Sequence, residues 1–194
     1  MVKFLRRSRD DDADLYRGLD TDLVEELRAA EAKGQEAAAA VVLRKIGILQ
    51  GKEKKIRLLE NLRRFSDPWV CTMLLQLLTD PREELREAAA RQLAEREDCP
   101  MEKLHARLSC PPWYVKSTIL RILGRRKNPQ SVRPIKAVLN DSNADVKCSA
   151  AQALGSIGGQ EARVCLVYLA KDHNAYVRAA AVEALEKICD FKFI

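Results

Sequence analysis

Aromatic residues make up only 5% of this 194-residue chain. No segment alternates apolar and polar side chains with the two-residue period of a half-buried strand, so a sheet is not expected. The longest apolar run spans 37–43, far short of the ~20 residues a membrane-crossing helix needs. Met-Val-Lys-Phe-Leu-Arg-Arg at the start has charge but no hydrophobic stretch, so a secretory leader is not expected. There is no nucleophile elbow, no phosphate-cradling glycine loop and no readable pair of catalytic carboxylates. No enzyme class is therefore indicated, and no cofactor.

Metal ligands are equally sparse. The two histidines, His105 and His173, have neither His nor Glu four residues on, and no Cys-x-x-Cys occurs. The six cysteines are Cys71, Cys99, Cys110, Cys148, Cys165 and Cys189. With no leader expected, reduced thiols and a cytoplasmic location follow as expectations. Cys99 and Cys110 bracket one expected helix and so stand about 16 Å apart, too far to share a metal.

What the chain does have is a repeat. Asp141-Ser-Asn-Ala-Asp-Val146-Lys147 and, further on, Ala150, Ala151, Ala153 and Leu154 recur 31 residues later as Asp172-His-Asn-Ala-Tyr-Val177-Arg178 with Ala181, Val182, Ala184 and Leu185. Self-similarity at a period of this size marks stacked helix pairs. The pattern runs backwards with decay through Cys110-Pro-Pro-Trp-Tyr-Val115-Lys116 and Asp80-Pro-Arg-Glu-Glu-Leu85-Arg86. Fainter copies begin near Gly51, with Ile56-Arg57 in the slot, and near Leu19, with Val24-Glu25. Repeat starts near 19, 51, 80, 110, 141 and 172 imply one helical domain over 19–194 and a charged arm over 1–18.

Apolar spacing supports a helix pair in each copy. Val146, Ala150, Ala151, Leu154 and Ile157 fall at helical intervals, Gly158-Gly159 breaks the chain, and Ala162 to Leu169 continues as a second helix. Six prolines (68, 81, 100, 111, 112 and 129) lie at expected junctions. Pro134 is the exception: it kinks its helix or marks a later first turn. Gly124 and Gly155 share one slot, and with small alanines they allow close helix approach.

The Asp…Val-Lys/Arg…Ala-Ala…Leu signature resembles the HEAT repeat, in the short form named after phycobilisome lyases. The resemblance is carried by 80–188 and is faint over 19–79. It implies an all-α fold, an α/α superhelix (a right-handed solenoid) of about five to six helical hairpins, with the helix bearing the Val-Lys/Arg pair on the concave side. It implies a surface for recognition and does not by itself identify a bilin lyase. HEAT-like folds include alkylpurine glycosylases, but no segment beyond the fold resembles those enzymes.

Two features bear on recognition. Arg57, Arg86, Lys116, Lys147 and Arg178 occupy one slot, each expected to pair with an Asp that starts its own or a neighbouring repeat. The Cys110 copy lacks that Asp, which leaves Lys116 as the rung expected to be free. The second feature is local charge. Segment 111–140 has seven cations (Lys116, Arg121, Arg125, Arg126, Lys127, Arg133 and Lys136) and no Asp or Glu, while the whole chain's net charge is +6. The candidate partner-binding residues are therefore Trp113, Tyr114, Lys116, Arg121, Arg125 and Arg126. The reading adopted is a non-catalytic adaptor or scaffold that binds a protein on its concave, basic surface, the partner being acidic where it meets these cations. Two others stay open: a subunit acting on a tetrapyrrole-bearing protein, and a nucleic-acid binder, whose affinity would fall steeply with salt. The termini add a polarised arm, with Lys3, Arg6, Arg7 and Arg9 before Asp10, Asp11, Asp12 and Asp14, and an apolar Phe191-Lys-Phe193-Ile194 expected to fold onto the last helix.

Overall fold

The structure, a computed structural model, describes residues 15–110 and 112–190, with side chains up to 188. The arm up to residue 14 and the Phe191–Ile194 end lie outside the described residues. Eleven α-helices and no strand occur among the residues described. They are α1 (Thr21–Glu31), α2 (Gln35–Ile48), α3 (Lys52–Asn61), α4 (Pro68–Leu77), α5 (Glu83–Glu95), α6 (Met101–Ala106), α7 (Trp113–Arg126), α8 (Val132–Lys136), α9 (Ala144–Ile157), α10 (Gln160–Leu169) and α11 (Ala175–Asp190). The fold is all-α, built from the helical hairpins of a solenoid repeat. None of these helices is long and apolar enough to cross a membrane. The chain forms two compact units that divide within α5, between Ala89 and Ala90.

In the first unit α2 packs against both α1 and α4. Leu23 and Leu27 of α1, Val42 and Ile46 of α2, and Trp69, Met73 and Leu74 of α4 are buried. Residues 15–18, assigned from the sequence to the charged arm, are docked. The Tyr16 ring meets Phe65 edge-on at 5.2 Å, and Phe65 meets Trp69 at 5.6 Å. Arg64 donates to the Arg17 carbonyl at 2.7 Å, and Asn61 to that of Gly18 at 2.9 Å.

In the second unit α7, α9 and α11 lie side by side, with α9 against both neighbours, and α10 covers α9, α11 and α8. Val115, Ile119 and Leu123 of α7, Val146, Ala150 and Leu154 of α9, and Val177 and Ala181 of α11 are buried. Two glycines set the helix spacing. A Cβ on Gly155 would stand 2.7 Å from the Ala184 Cβ, and one on Gly124 would stand 3.0 Å from the Ala153 Cα. Gly158 and Gly159 end α9 with φ of 72° and 89°, a backbone that residues with a Cβ rarely adopt. Pro134 is the third residue of α8, after a 3-10 turn at Pro129–Ser131. It lies in the first turn, where its missing N–H costs no helical hydrogen bond. Of the two options left open for Pro134, this is the later first turn, not a kink.

Cysteine chemistry departs from expectation at two positions. Cys71 and Cys99 are disulfide-bonded, so they are not reduced thiols. Cys110, Cys148 and Cys165 are free.

The spacing argument has a direct test. Overpacking a close helix contact costs about 1–3 kcal/mol, against a helix-propensity gain of up to about 1 kcal/mol for Gly→Ala. Gly155→Ala is therefore expected to lower the unfolding free energy by about 1 kcal/mol or more in urea titration. Gly47→Ala, with nothing within 4 Å of the added methyl, is expected to raise it.

Candidate functional site

The repeat motif is a hydrogen-bonding device with three parts. Asp141 Oδ1 accepts from the Asn143 N–H at 2.9 Å, and Asn143 Oδ1 accepts from the Asp145 N–H at 2.8 Å, which caps α9. The second oxygen of Asp141 accepts from the Lys116 ammonium at 2.7 Å. One repeat later the same set recurs. Asp172 takes the Asn174 N–H at 2.8 Å, Asn174 takes the Tyr176 N–H at 2.9 Å, and Lys147 donates to Asp172 at 2.7 Å. Each lysine thus reaches forward 25 residues to the aspartate that opens the next repeat.

The rungs do not follow the assignment made from sequence in full. Arg57 is exposed, and the buried cation of α3 is Lys55, whose charge acts on Asp80. Lys55 precedes Asp80 by the same 25 residues. The two arginine rungs turn back instead: Arg86 donates to the carbonyls of Asp80 and Pro81 at 2.8 and 3.0 Å, and Arg178 to those of Asp172 and His173, both at 2.9 Å. Lysine occurs where the next repeat opens with Asp. Arginine occurs at 86, where it opens with Cys110, and at 178.

Two of the six candidate residues have structural work. Lys116 is not a free rung, because Asp141 holds it. Arg126 donates to the carbonyls of Leu93 at 2.6 Å and Cys99 at 2.9 Å, and also to that of Arg96. Its forked donors fasten the end of α7 to the connection between α5 and α6. Burial pushes its guanidinium pKa down, opposed by the charges of Asp98 and Glu97.

The remaining four are at the surface of α7. Trp113 is 47% exposed and Tyr114 partly so, their rings edge-to-face with centroids 6.1 Å apart. Tyr114, Thr118, Arg121 and Arg125 follow helical spacing along one face, with both arginines exposed. The equivalent face of α9 carries Asp145, Ser149, Gln152 and Ser156, and that of α11 carries Tyr176, Ala180, Glu183 and Lys187. Tyr176 is 81% exposed, and Glu183 pairs with Lys187 at 2.7 Å. Sequence reasoning did not name Asp145, Gln152 or Tyr176. The repeat offset that relates them to Tyr114 and Arg121 was the signal available. No three His, Cys, Asp or Glu side chains are grouped to hold a metal among the described residues.

The rungs couple stability to pH. Burial pushes the Asp141 and Asp172 carboxyls up, but the lysine hydrogen bonds, backbone N–H groups and lysine charges together bring both below the usual carboxylate range. A depressed folded pKa contributes stability that is complete above the unfolded value and is lost as pH falls through the folded one. The unfolding free energy should accordingly decline below about pH 5, and less steeply in Asp172→Ala. At neutral pH that variant should lose about 3 kcal/mol, since it leaves Lys147, 5% exposed, without its partner. Urea titrations across pH read both effects.

A family model described as HEAT repeats matches residues 101–188, somewhat less than half of the chain. No curated protein sequence matches. Among solved structures, human deoxyhypusine hydroxylase in complex with glycerol is 18% identical at a TM-score of 0.46, covering 91% of this chain and 83% of that one. A designed armadillo repeat protein in complex with the peptide (KR)4 is 16% identical at 0.47, with coverages of 91% and 97%. An engineered protein is 19% identical at 0.47, with coverages of 95% and 100%. At these scores none of the three bears on function. The repeats from α6 to α11 are those the HEAT-repeat match covers, and this is the same stretch in which the Asp-Asn-Lys device is complete.

Proposed function

We propose that this protein is a non-catalytic adaptor or scaffold that binds another protein on the exposed face of its first-helix row, centred on α7. The observation that carries the reading is Trp113, a large aromatic 47% exposed on a helix whose surface also displays Arg121 and Arg125. Exposed Trp, Tyr and Arg are the residue types that concentrate binding energy at protein interfaces. The excess of seven cations over no acidic residue in 111–140 favours an acidic partner surface. Lys116 and Arg126 leave the set of residues on this face, since Lys116 emerges on the opposite side of α7 and backbone carbonyls occupy Arg126.

The same commitment weakens the nucleic-acid reading. Lys116 and Arg126 are engaged internally, so fewer than the seven cations remain to neutralise phosphates. No observation favours a tetrapyrrole-bearing partner over any other protein.

Affinity capture with the purified protein as bait tests the proposal. A protein partner should survive nuclease treatment and be lost with Arg121→Glu/Arg125→Glu, while the circular dichroism and melting temperature of that variant stay close to wild type. Trp113→Ala should weaken the purified complex by about 2 kcal/mol. Unchanged binding by both folded variants would remove α7 as the contact surface, and capture that disappears with nuclease would replace the protein partner with nucleic acid.

A further inference from the structure

On the other side of the α7 ladder, away from the Arg121–Arg125 face, lies a cleft of about 390 Å³. It is within the size range of small-molecule sites. Its apolar wall is Leu108, Pro134, Ala137 and Val138, and its polar wall includes Ser109, Lys116, Asn140 and Asp141. Short second helices accompany it: α6 has six residues and α8 five, against ten in α10.

The charge balance at Lys116 differs from that at the next rung. Asp141 lies in the field of both Lys116 and Lys147, and Asp172 in that of Lys147. Lys147 therefore stands between two aspartates. Lys116 has no aspartate in the equivalent place on its other side, because the residue one repeat before Asp141 is Cys110. Lys116 is also the more open rung, its side chain 22% exposed against 6% for Lys147. Its one hydrogen bond goes to Asp141, which leaves ammonium N–H groups to spare. Asn140 Oδ1 is taken by the Tyr168 hydroxyl at 2.7 Å, so its amide N–H₂ remains to donate. The polar wall thus offers donors at Lys116 and Asn140 beside the Asp141 carboxylate, itself held by Lys116 and the Asn143 N–H.

We propose that this cleft binds a small carboxylate with an apolar body, the carboxylate supplying to Lys116 the second negative charge that Lys147 receives from aspartate. Ser109 and Asn140 hydrogen-bond the same group, and Leu108, Pro134, Ala137 and Val138 hold the apolar part. Two sources present such a group: a free carboxylic acid and the C-terminal residue of another chain. The proposal does not depend on the adaptor reading, since it concerns a different surface.

The test is an amide-resolved NMR titration of the ¹⁵N-labelled protein with hexanoate, hexanamide and N-acetylleucine. Hexanoate, N-acetylleucine or both should shift the signals around residues 108–109, 116 and 137–141 saturably, and whichever binds more tightly identifies the source. Hexanamide should bind about tenfold more weakly, as expected for loss of a charge-assisted contact. Ala137→Trp, at an exposed position on the cleft wall, should abolish the shifts with the fold intact by circular dichroism, and Lys116→Gln should weaken them. Absence of saturable shifts, hexanamide binding as tightly as both acids, or unaltered binding in Ala137→Trp would each overturn the assignment.

Discussion

The lysine-to-aspartate hydrogen bond that joins one repeat to the next is the interaction on which the second unit depends. A helical hairpin cannot bury its apolar stripe alone, so each needs a neighbour held in register. The aspartate does this with both of its oxygens. One organises the turn that leads into its own helix, where an asparagine caps the first N–H groups. The other holds the lysine of the preceding helix at 2.7 Å. A single residue type thereby sets the local turn and the long-range spacing together. The low exposure of Lys147 makes the pair costly to break, whatever its net worth against an apolar substitute.

Register, once set, determines what is buried and what is shown. Gly124 and Gly155 let α7, α9 and α11 approach until the next helix's alanine fills the space of a missing side chain. With that side of each helix closed and the opposite side under the second-row helices, one face remains outward. Its residues differ sharply from repeat to repeat: Arg121, Gln152 and Glu183 occupy one slot. Constant positions serve the stack, and variable ones are available for a partner. Arg126 shows that charge alone does not sort the two classes, since it looks like part of a surface patch and is a half-buried fastening.

Much of the architecture was legible because residues 141–157 recur at 172–188 with the Asp, Asn, Val and Ala-Leu positions kept. The motif residues are those that make hydrogen bonds, so the pattern and its chemistry coincide. The register of the earlier copies was harder to read. Ile56-Arg57 imitates the order of Val115-Lys116, yet Lys55 is the buried cation whose charge acts on Asp80, and that burial is not a local property of the dipeptide. Arg125 and Arg126 are adjacent and chemically identical, and only the side of α7 on which each emerges separates a surface cation from a half-buried one. Pro134 was visible as an anomaly, but its neighbourhood to the cleft became visible only with α6 and α8 in place.

The most direct test of this account is a double-mutant cycle on the rung between α9 and the start of the α11 repeat. Lys147→Met, Asp172→Ala and the double variant would be unfolded in urea alongside wild type. If the rung joins the repeats as described, the two substitutions are strongly non-additive, with a coupling energy of about 2 kcal/mol. Additive effects would mean that the hairpins are held by apolar packing alone and that the ladder is a consequence of the stack, not a cause.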